Sequence, residues 1–289
     1  MVQNYVFPAT VSEAVTVLST NRGKARIIAG GTDLMLELQD GKNTCDVLVD
    51  LTQIAELKNI TEENGFIRIG ASVTHAQASK SELILKHAPA LAQACRKVGS
   101  LQIRNMGTII GNIVTGNPAA DAAVALACLE TTAEVTTQEG MQSMPLEDMY
   151  AGVCLSCIDS CCQVVTHVKF PVKQKNQGSA YLRMEQRKAL ALPMLAVSAM
   201  VALDGDRFEW ARLIIAPVGA GPQHALDAEA FLKGAPVTAA TMTEAGQLAR
   251  NQALFRSSAI RGSKEYRMGV LPVFVERVLQ AAVEDARKA

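Results

Sequence analysis

The 289-residue chain lacks an excess of charge of either sign, because 28 Lys and Arg residues balance 28 Asp and Glu residues. Nucleic acids and anionic membrane surfaces attract basic faces, and this composition gives no electrostatic support for either partner. Hydrophobic residues make up 49% of the chain, yet every long apolar run is broken well short of the ~20 residues that a membrane-spanning helix needs. We therefore expect no nucleic acid and no membrane as partner, and subunit contacts as one use for the apolar excess.

Common catalytic and targeting signatures are missing too. The chain contains neither G-x-G-x-x-G nor G-x-x-x-x-G-K-[ST], so a Rossmann NAD site or a P-loop is not indicated. No Ser/His/Asp triad emerges from the four scattered histidines, each of which we interpret as a surface or satisfied structural residue: His75, His87, His167 and His224. The start of the chain does not resemble a signal peptide, which predicts a cytoplasmic protein.

What the chain does contain is a glycine motif, Ile27–Leu34, that reads Ile-Ile-Ala-Gly-Gly-Thr-Asp-Leu. A predicted strand runs into paired glycines, which permit close backbone approach, and then into a helix start with free N–H groups. Phosphate is the natural ligand of such a cradle. A tight strand-to-helix turn without any ligand is the alternative, and the motif alone does not decide between them.

A second predicted loop lies between Gln102 and Asp121 and is rich in small and amide residues. Its Thr108, Gly111 and Asn112 offer hydroxyl, backbone N–H and carboxamide groups with little bulk, which suits a polyhydroxylated, phosphorylated ligand. Asp121 follows Pro118 into a predicted helix, where its charge meets the positive end of the helix dipole. Simple helix capping is the alternative role of Asp121.

The two loops together resemble those of the FAD-binding medium subunit of the molybdenum hydroxylases, the group of xanthine dehydrogenase and carbon monoxide dehydrogenase. The family's first loop, A-G-G-T-D-L, appears at Ala29–Leu34, and its second, T-I-G-G-N followed by P-x-x-D, appears at Thr108–Asp121 with Ile110 in place of the first glycine. The resemblance continues toward the C-terminus at Ser179–Arg183, Arg187, Gly219–Pro222, Ala228–Glu229 and Arg261–Arg267. It covers nearly the whole chain.

This resemblance implies an α+β fold with two parts. Residues 1–173 would form an FAD-binding domain of the vanillyl-alcohol oxidase type, with subdomains at about 1–55 and 56–173, and residues 174–289 a small α+β domain of antiparallel strands and C-terminal helices. Sequence patterns agree. Strands and helices alternate near the start, which indicates a small parallel sheet, and Asp204-Gly205 predicts a hairpin. The polar run from Lys173 to Gly178 is the best boundary, and the chain beyond Thr241 has a helical pattern.

The resemblance also implies FAD as cofactor and a set of residues that bind it. The first loop would hold the pyrophosphate, Val165 occupies a position where the family usually has Leu, and Arg183 one where many members have Lys. For Arg183 the alternative is an exposed strand cation. We predict no catalytic side chain and no metal ligand, and the predicted FAD-binding residues are Ile27, Ile28, Ala29, Gly30, Gly31, Thr32, Asp33, Leu34, Thr108, Ile109, Ile110, Gly111, Asn112, Ala120, Asp121, Val165 and Arg183.

By the same resemblance, the chain is an electron-transfer subunit of a xanthine dehydrogenase-like heterotrimer. Its partners would be a small subunit with [2Fe–2S] clusters and a large subunit with molybdopterin, assembled as a dimer of heterotrimers, with NAD as an external acceptor. A free-standing FAD oxidoreductase and a flavin-free scaffold subunit are the alternatives. The flavin-free scaffold is retained as an alternative because Ile110 replaces a glycine of the family's second loop.

The segment from Cys154 to Cys162 holds four of the seven cysteines. Cys154-x-x-Cys157 has the spacing of two metal ligands, with Cys161 as a third, and a redox-active thiol pair is another option. We favour a third interpretation, in which these cysteines serve as small hydrophobic residues before a buried strand, because the spacing matches no ligand position of the family.

Overall fold

The computed structural model describes residues 2–188, 190–258 and 261–288. Its first layer is a parallel three-stranded sheet of order β1-β3-β2, as the alternating pattern predicted. Thr10 begins the first helix by accepting the Glu13 N–H, and the buried face of that helix packs into the core. The elements are β1 (Asn4–Val6), α1 (Val11–Thr20), β2 (Ala25–Ile28), α2 (Leu34–Gln39) and β3 (Val47–Asp50).

The second layer is an antiparallel sheet of order β4-β5-β10-β6-β7, and six helices lie between its strands β5 and β6 along the chain. Its strands are β4 (Ile60–Glu63), β5 (Phe66–Gly70), β6 (Thr132–Thr137), β7 (Gly140–Pro145) and, after the small hairpin β8 (Tyr150–Gly152) and β9 (Leu155–Ser156), β10 (Val164–Pro171). The helices are α3 (His75–Ala78), α4 (Glu82–His87), α5 (Pro89–Lys97), α6 (Leu101–Met106), α7 (Ile109–Val114) and α8 (Asp121–Ala127).

The prediction of an open second loop is wrong in detail, because that segment contains helices α6 and α7. Each begins at a capping hydroxyl that the sequence shows. Ser100 accepts the Ile103 N–H, and Thr108 accepts the Gly111 N–H. The segment is therefore a pair of short helices whose connection, at Gly107, lies beside the first glycine motif.

The C-terminal part is an antiparallel sheet of order β11-β12-β13-β14 with three helices, which confirms the predicted α+β arrangement. The predicted hairpin is also confirmed: Asp204 pairs with Arg207, and Gly205 adopts φ +57°. Among the described residues, no helix is both long and apolar enough to cross a membrane. The elements are β11 (Gln177–Met184), β12 (Leu195–Asp204), β13 (Arg207–Ala216), β14 (Gln223–His224), α9 (Leu226–Leu232), α10 (Ala239–Gln252) and α11 (Lys264–Ala286).

Strand β12 is buried on both faces and joins the two hydrophobic cores. Ala196 and Met200 belong to the core built mainly from the first 170 residues, while Val197 and Val201 belong to the core beneath α10 and α11. Alternate residues of a strand face opposite sides, so one strand serves both cores. Ser198 adds a hydrogen bond of 2.6 Å to the Val124 carbonyl of α8. The C-terminal sheet thereby holds α8 and its first residue, Asp121, in place.

His224 forms a second connection between the two parts. Its Nδ1 lies 2.7 Å from Glu229 Oε1 and its Nε2 lies 2.9 Å from Glu147 Oε1. The hydrogen bond to Glu229 is the main cause of a raised pKa for His224. The prediction of a satisfied structural histidine is therefore confirmed here, although one of its partners, Glu147, is distant in sequence and meets it only in the fold.

We predict that this contact makes stability depend on pH. Because the pKa of His224 is raised above its ordinary value of 6.5, its charged form stabilises the fold below that value, and the contribution disappears as pH rises through the raised pKa. Replacing His224 with Gln should lower the free energy of unfolding by about 1 kcal/mol near pH 6 and leave it unchanged at high pH. The effect is this small because solvent partly screens the half-exposed Glu147. Thermal unfolding across pH tests this. If the melting temperatures of the two proteins differed by the same amount at every pH, the prediction would be contradicted.

Candidate cofactor site

A cavity of about 660 Å³ opens between the parallel sheet and the helices of the second layer. Its size falls within the range of roughly 300–1,000 Å³ that small-molecule and cofactor sites occupy. Both glycine segments line it. Of the predicted FAD-binding residues, those in the wall are Ile27, Ile28, Ala29, Gly30, Gly31, Thr32, Asp33, Leu34, Thr108, Ile110, Gly111, Asn112, Ala120, Asp121 and Val165.

The first glycine segment presents free backbone donors to this cavity. Gly31 adopts φ +66°, a left-handed conformation that favours glycine, and its carbonyl accepts the Met35 N–H to close the first turn of α2. None of the N–H groups from Gly30 to Asp33 donates to another group in the part of the chain that the structure describes. These donors are available to an anion at the start of α2.

Gly30 is the point at which the two glycine segments touch. A Cβ atom built on Gly30 would lie 2.1 Å from the Met106 carbonyl oxygen, a separation that no side chain tolerates. A Cβ on Gly107 would lie 3.4 Å from Thr32 Oγ1. The segments therefore form one continuous wall, and the close approach at Gly30 requires glycine, whereas a Cβ on Gly107 would make only an ordinary contact with Thr32.

The second segment contributes one buried acceptor. Asn112 Oδ1 is buried and has no hydrogen-bond partner among the described residues, so it is available to a donor group of a ligand. Ile110 is 5% exposed and packs in the large core, but it also forms part of the cavity wall. The residues present fit a phosphorylated dinucleotide: a glycine cradle with free N–H groups, a free amide oxygen and sufficient volume.

Two of the predicted FAD-binding residues do not reach the wall. Ile109 is fully buried, because it is the first residue of α7 and its apolar side chain packs inward. The Arg183 side chain is only 1% exposed, so the alternative of an exposed cation is wrong, while the predicted FAD contacts of Ile109 and Arg183 stay predictions. Both departures arise from side-chain direction, which the sequence motif does not specify.

Arg183 instead holds Asp121, which does line the cavity. Arg183 Nη1 donates to both carboxylate oxygens of Asp121 at 2.8 and 2.9 Å, and the Tyr181 hydroxyl donates to the same group at 2.5 Å. Burial raises the pKa of Asp121, while Arg183 and Tyr181 act in the opposite direction. These contacts fix the carboxylate at the start of α8. The alternative of simple helix capping is therefore wrong, because α8 has no side-chain capping hydrogen bond and residues of β11 orient Asp121 instead.

Several wall residues escaped the sequence prediction. Arg26, whose Nη1 donates to Asn43 Oδ1 at 2.7 Å, lies one position before the motif. The alternation of side-chain directions along β2 was the one sequence signal that could have placed Arg26 in the wall. Leu190 and Leu192 reach the cavity from beyond β11, and nothing in their local sequence marks them. The other unpredicted wall residues include Asn43, His75, Ile103, Gly107, Asn117, Ser156, Asp159, Ser160 and Gln163.

The cysteine-rich segment also forms part of this wall, and our interpretation of its cysteines as small hydrophobic residues before a buried strand is wrong. Cys154, Cys157 and Cys162 are exposed and Cys161 is half-buried. The segment is anchored where the Ser160 carbonyl accepts the Ile27 N–H at 3.0 Å. Within the described ranges, no three His, Cys, Asp or Glu side chains are grouped to hold a metal ion. The predicted absence of a metal ligand stays a prediction.

Comparison with known proteins defines the class first. The family described as the FAD binding domain in molybdopterin dehydrogenase matches residues 1–173, and that described as the CO dehydrogenase flavoprotein C-terminal domain matches residues 180–282. The chain belongs to this family of FAD-binding subunits, an oxidoreductase family whose cofactor is FAD. The cradle described above fits that cofactor.

Individual relatives align over most of their length. The xanthine dehydrogenase FAD-binding subunit of Escherichia coli O157:H7 is 28% identical over 98% of this chain and 97% of its own. The nicotinate dehydrogenase FAD-subunit of Eubacterium barkeri is 34% identical over 81% of each chain. A structure of reconstituted CO dehydrogenase from Oligotropha carboxidovorans superposes with a TM-score of 0.91 at 26% identity, covering 99% of each chain.

We predict that Gly31→Val abolishes FAD retention while the fold persists. The branched side chain would meet Ile28 Cδ1 at about 3.0 Å and force a left-handed backbone that Val avoids. Gly234→Val is the matched control, because Gly234 also has a positive φ, +77°, but lies in open space. Circular dichroism and flavin quantification on both variants test this. Wild-type flavin content in Gly31→Val would refute the cradle.

For Ile110→Gly we expect a loss of stability of about 2–5 kcal/mol from the emptied core position. FAD affinity should stay unchanged or rise modestly, because the wall loses a side chain that the family's motif lacks. Denaturant unfolding and flavin titration separate the two effects. If the wild-type protein binds no FAD and the variant does, the flavin-free scaffold alternative is correct.

Proposed function

We propose that the chain is the FAD-binding electron-transfer subunit of a cytoplasmic, xanthine dehydrogenase-like molybdenum hydroxylase. It would pass electrons between the [2Fe–2S] clusters of a small partner subunit and an external acceptor such as NAD, within a dimer of heterotrimers that includes a molybdopterin-bearing large subunit. The observation that carries the proposal is the cavity of about 660 Å³, whose wall is built from both glycine segments. We also propose a domain division into residues 1–173 and 174–289.

The chain's own residues would bind and orient the cofactor. The N–H groups from Gly30 to Asp33 suit the pyrophosphate, and the amide of Asn112 suits a polar group further along. Asp121, fixed by Arg183, provides an oriented acceptor near the start of α8. When bound, FAD itself supplies the one-electron and hydride chemistry. The protein's contribution is therefore position and environment rather than a proton-transfer residue.

Substrate oxidation is assigned to a partner subunit. Relatives named for xanthine, nicotinate and carbon monoxide align with most or nearly all of this chain, although two of these compounds are nitrogen heteroaromatics and the third is a diatomic gas. A subunit that fits all of these enzymes does not contain the substrate-selective site.

Exposed apolar side chains near the cavity support a multisubunit assembly. They come from α2, from α6 and from the segment before β12, all of which also contribute wall residues. Such groups of exposed apolar residues mark protein contacts more often than solvent-facing surface. The residues are Met35, Leu36, Leu101, Met106, Leu190 and Leu192, with exposed fractions of 47, 60, 58, 59, 56 and 53%.

The test is the stoichiometry of the complex purified through a tag on this chain. We expect about one FAD per chain, with iron and molybdenum retained in the same peak. FAD without either metal would favour the free-standing oxidoreductase, and both metals without FAD would favour the scaffold. Anaerobic NADH should bleach the flavin absorbance. Absence of bleaching in an FAD-loaded complex would exclude NAD as the acceptor.

A further inference from the structure

His75 is a buried histidine whose hydrogen bonding is incomplete. Its side chain lines the cavity, the residue is only 1% exposed, and its Nδ1 is buried without a partner. The expectation of a surface or satisfied histidine is therefore wrong. An unpartnered polar atom in such a site destabilises the protein, and a hydrogen bond from a ligand would remove that cost.

The fold places His75 where the two glycine segments meet. Its backbone N–H donates to the Gly107 carbonyl at 3.1 Å, and the Ile109 N–H donates to the Val73 carbonyl at 3.0 Å. The capping box formed by Thr74 and Gln77 fixes the start of α3. The residue is thus held by its main chain, and its imidazole is not required for that attachment.

The imidazole ring lies close to the cradle. A Cβ built on Gly107 would be 3.7 Å from His75 Cδ2 and 3.4 Å from Thr32 Oγ1, so both side chains flank the same glycine. Burial, with the positive charge of Arg104 as a second cause, lowers the pKa of His75 to about 4. The ring is therefore neutral near pH 7 and retains one N–H donor.

We propose that His75 is a further cofactor-binding residue, whose neutral imidazole donates a hydrogen bond to a phosphate oxygen of FAD beside Thr32 and Gly107. This inference rests on the proposed function, because it requires FAD in the cavity. It assigns a ligand contact to a residue outside both glycine segments. It also accounts for a buried polar group that the protein alone leaves without a partner.

The test compares FAD affinity with apoprotein stability in the full chain. His75→Phe keeps the ring volume but removes both nitrogens, so the FAD dissociation constant should rise roughly tenfold. The melting temperature of the apoprotein should stay equal or increase, because no polar group is left unpartnered. His75→Asn or His75→Gln should restore part of the affinity by returning an N–H donor. A purely structural role would instead lower the melting temperature and leave affinity unchanged.

His87→Phe is the matched control. His87 is also buried, but it lies outside the cavity wall and its Nδ1 accepts the Lys173 N–H at 3.2 Å. This variant should lose stability and keep its FAD affinity. Addition of FAD should also shift the ¹⁵N resonances of the His75 ring in the wild-type protein.

Two outcomes would overturn the proposal in distinguishable ways. If the wild type binds FAD and His75→Phe binds it equally well, with no change in the ring resonances, the role of His75 is refuted while the proposed function stands. If the wild type binds no FAD, both fail together. An affinity difference that grows as pH falls from about 8 to 6 would refute the neutral donor in favour of a cation.

Discussion

The contact between the backbone of Gly30 and the carbonyl of Met106 is the constraint on which the site depends. Because any side chain at Gly30 would overlap that carbonyl, glycine is what allows the parallel sheet and the helices α6 and α7 to share one wall. The positive φ of Gly31 then turns the chain into α2 with free N–H groups from Gly30 to Asp33. Two segments almost eighty residues apart in sequence become a single cradle through this one approach.

The C-terminal part completes the site indirectly. Its sheet packs against α8 through β12, and Arg183 and Tyr181 of β11 hold Asp121 at the cavity. A buried ion pair of this kind is weak evidence for stability, since desolvation opposes the Coulomb attraction. Its evident effect is orientation, because it fixes one carboxylate where α8 meets the cavity. The cofactor site therefore requires both parts of the chain.

The local motifs predicted much of this arrangement. The alternation of strands and helices, the paired glycines and Asp204-Gly205 are each local signals, so the small parallel sheet, the glycine turn before α2 and the C-terminal hairpin could be predicted directly. The directions in which side chains point could not be predicted in this way. Ile109 faces the core because α7 begins at that residue, and Arg183 turns to Asp121 because the fold brings β11 to the start of α8. The second cause is not local, since Arg183 and Asp121 are 62 residues apart in sequence.

The histidines and cysteines show the same limit. His224 meets Glu147 only after the two parts pack together, and the exposed fractions of Cys154 and Cys157 follow from the position of the β8–β9 hairpin on the surface. The type and spacing of residues show which hydrogen bonds or metal contacts their side chains are able to make. Burial and neighbouring groups decide which of these contacts form, and both depend on the assembled fold.

The central claim is that both glycine segments bind one FAD molecule, and amide hydrogen–deuterium exchange tests it most directly. Without FAD, the N–H groups from Gly30 to Asp33 have no described protein acceptor and should exchange quickly. With FAD bound, exchange should slow in this segment and, at the same FAD concentration, in the segment from Thr108 to Asn112. Protection confined to one segment, or found only elsewhere in the chain, would contradict the account.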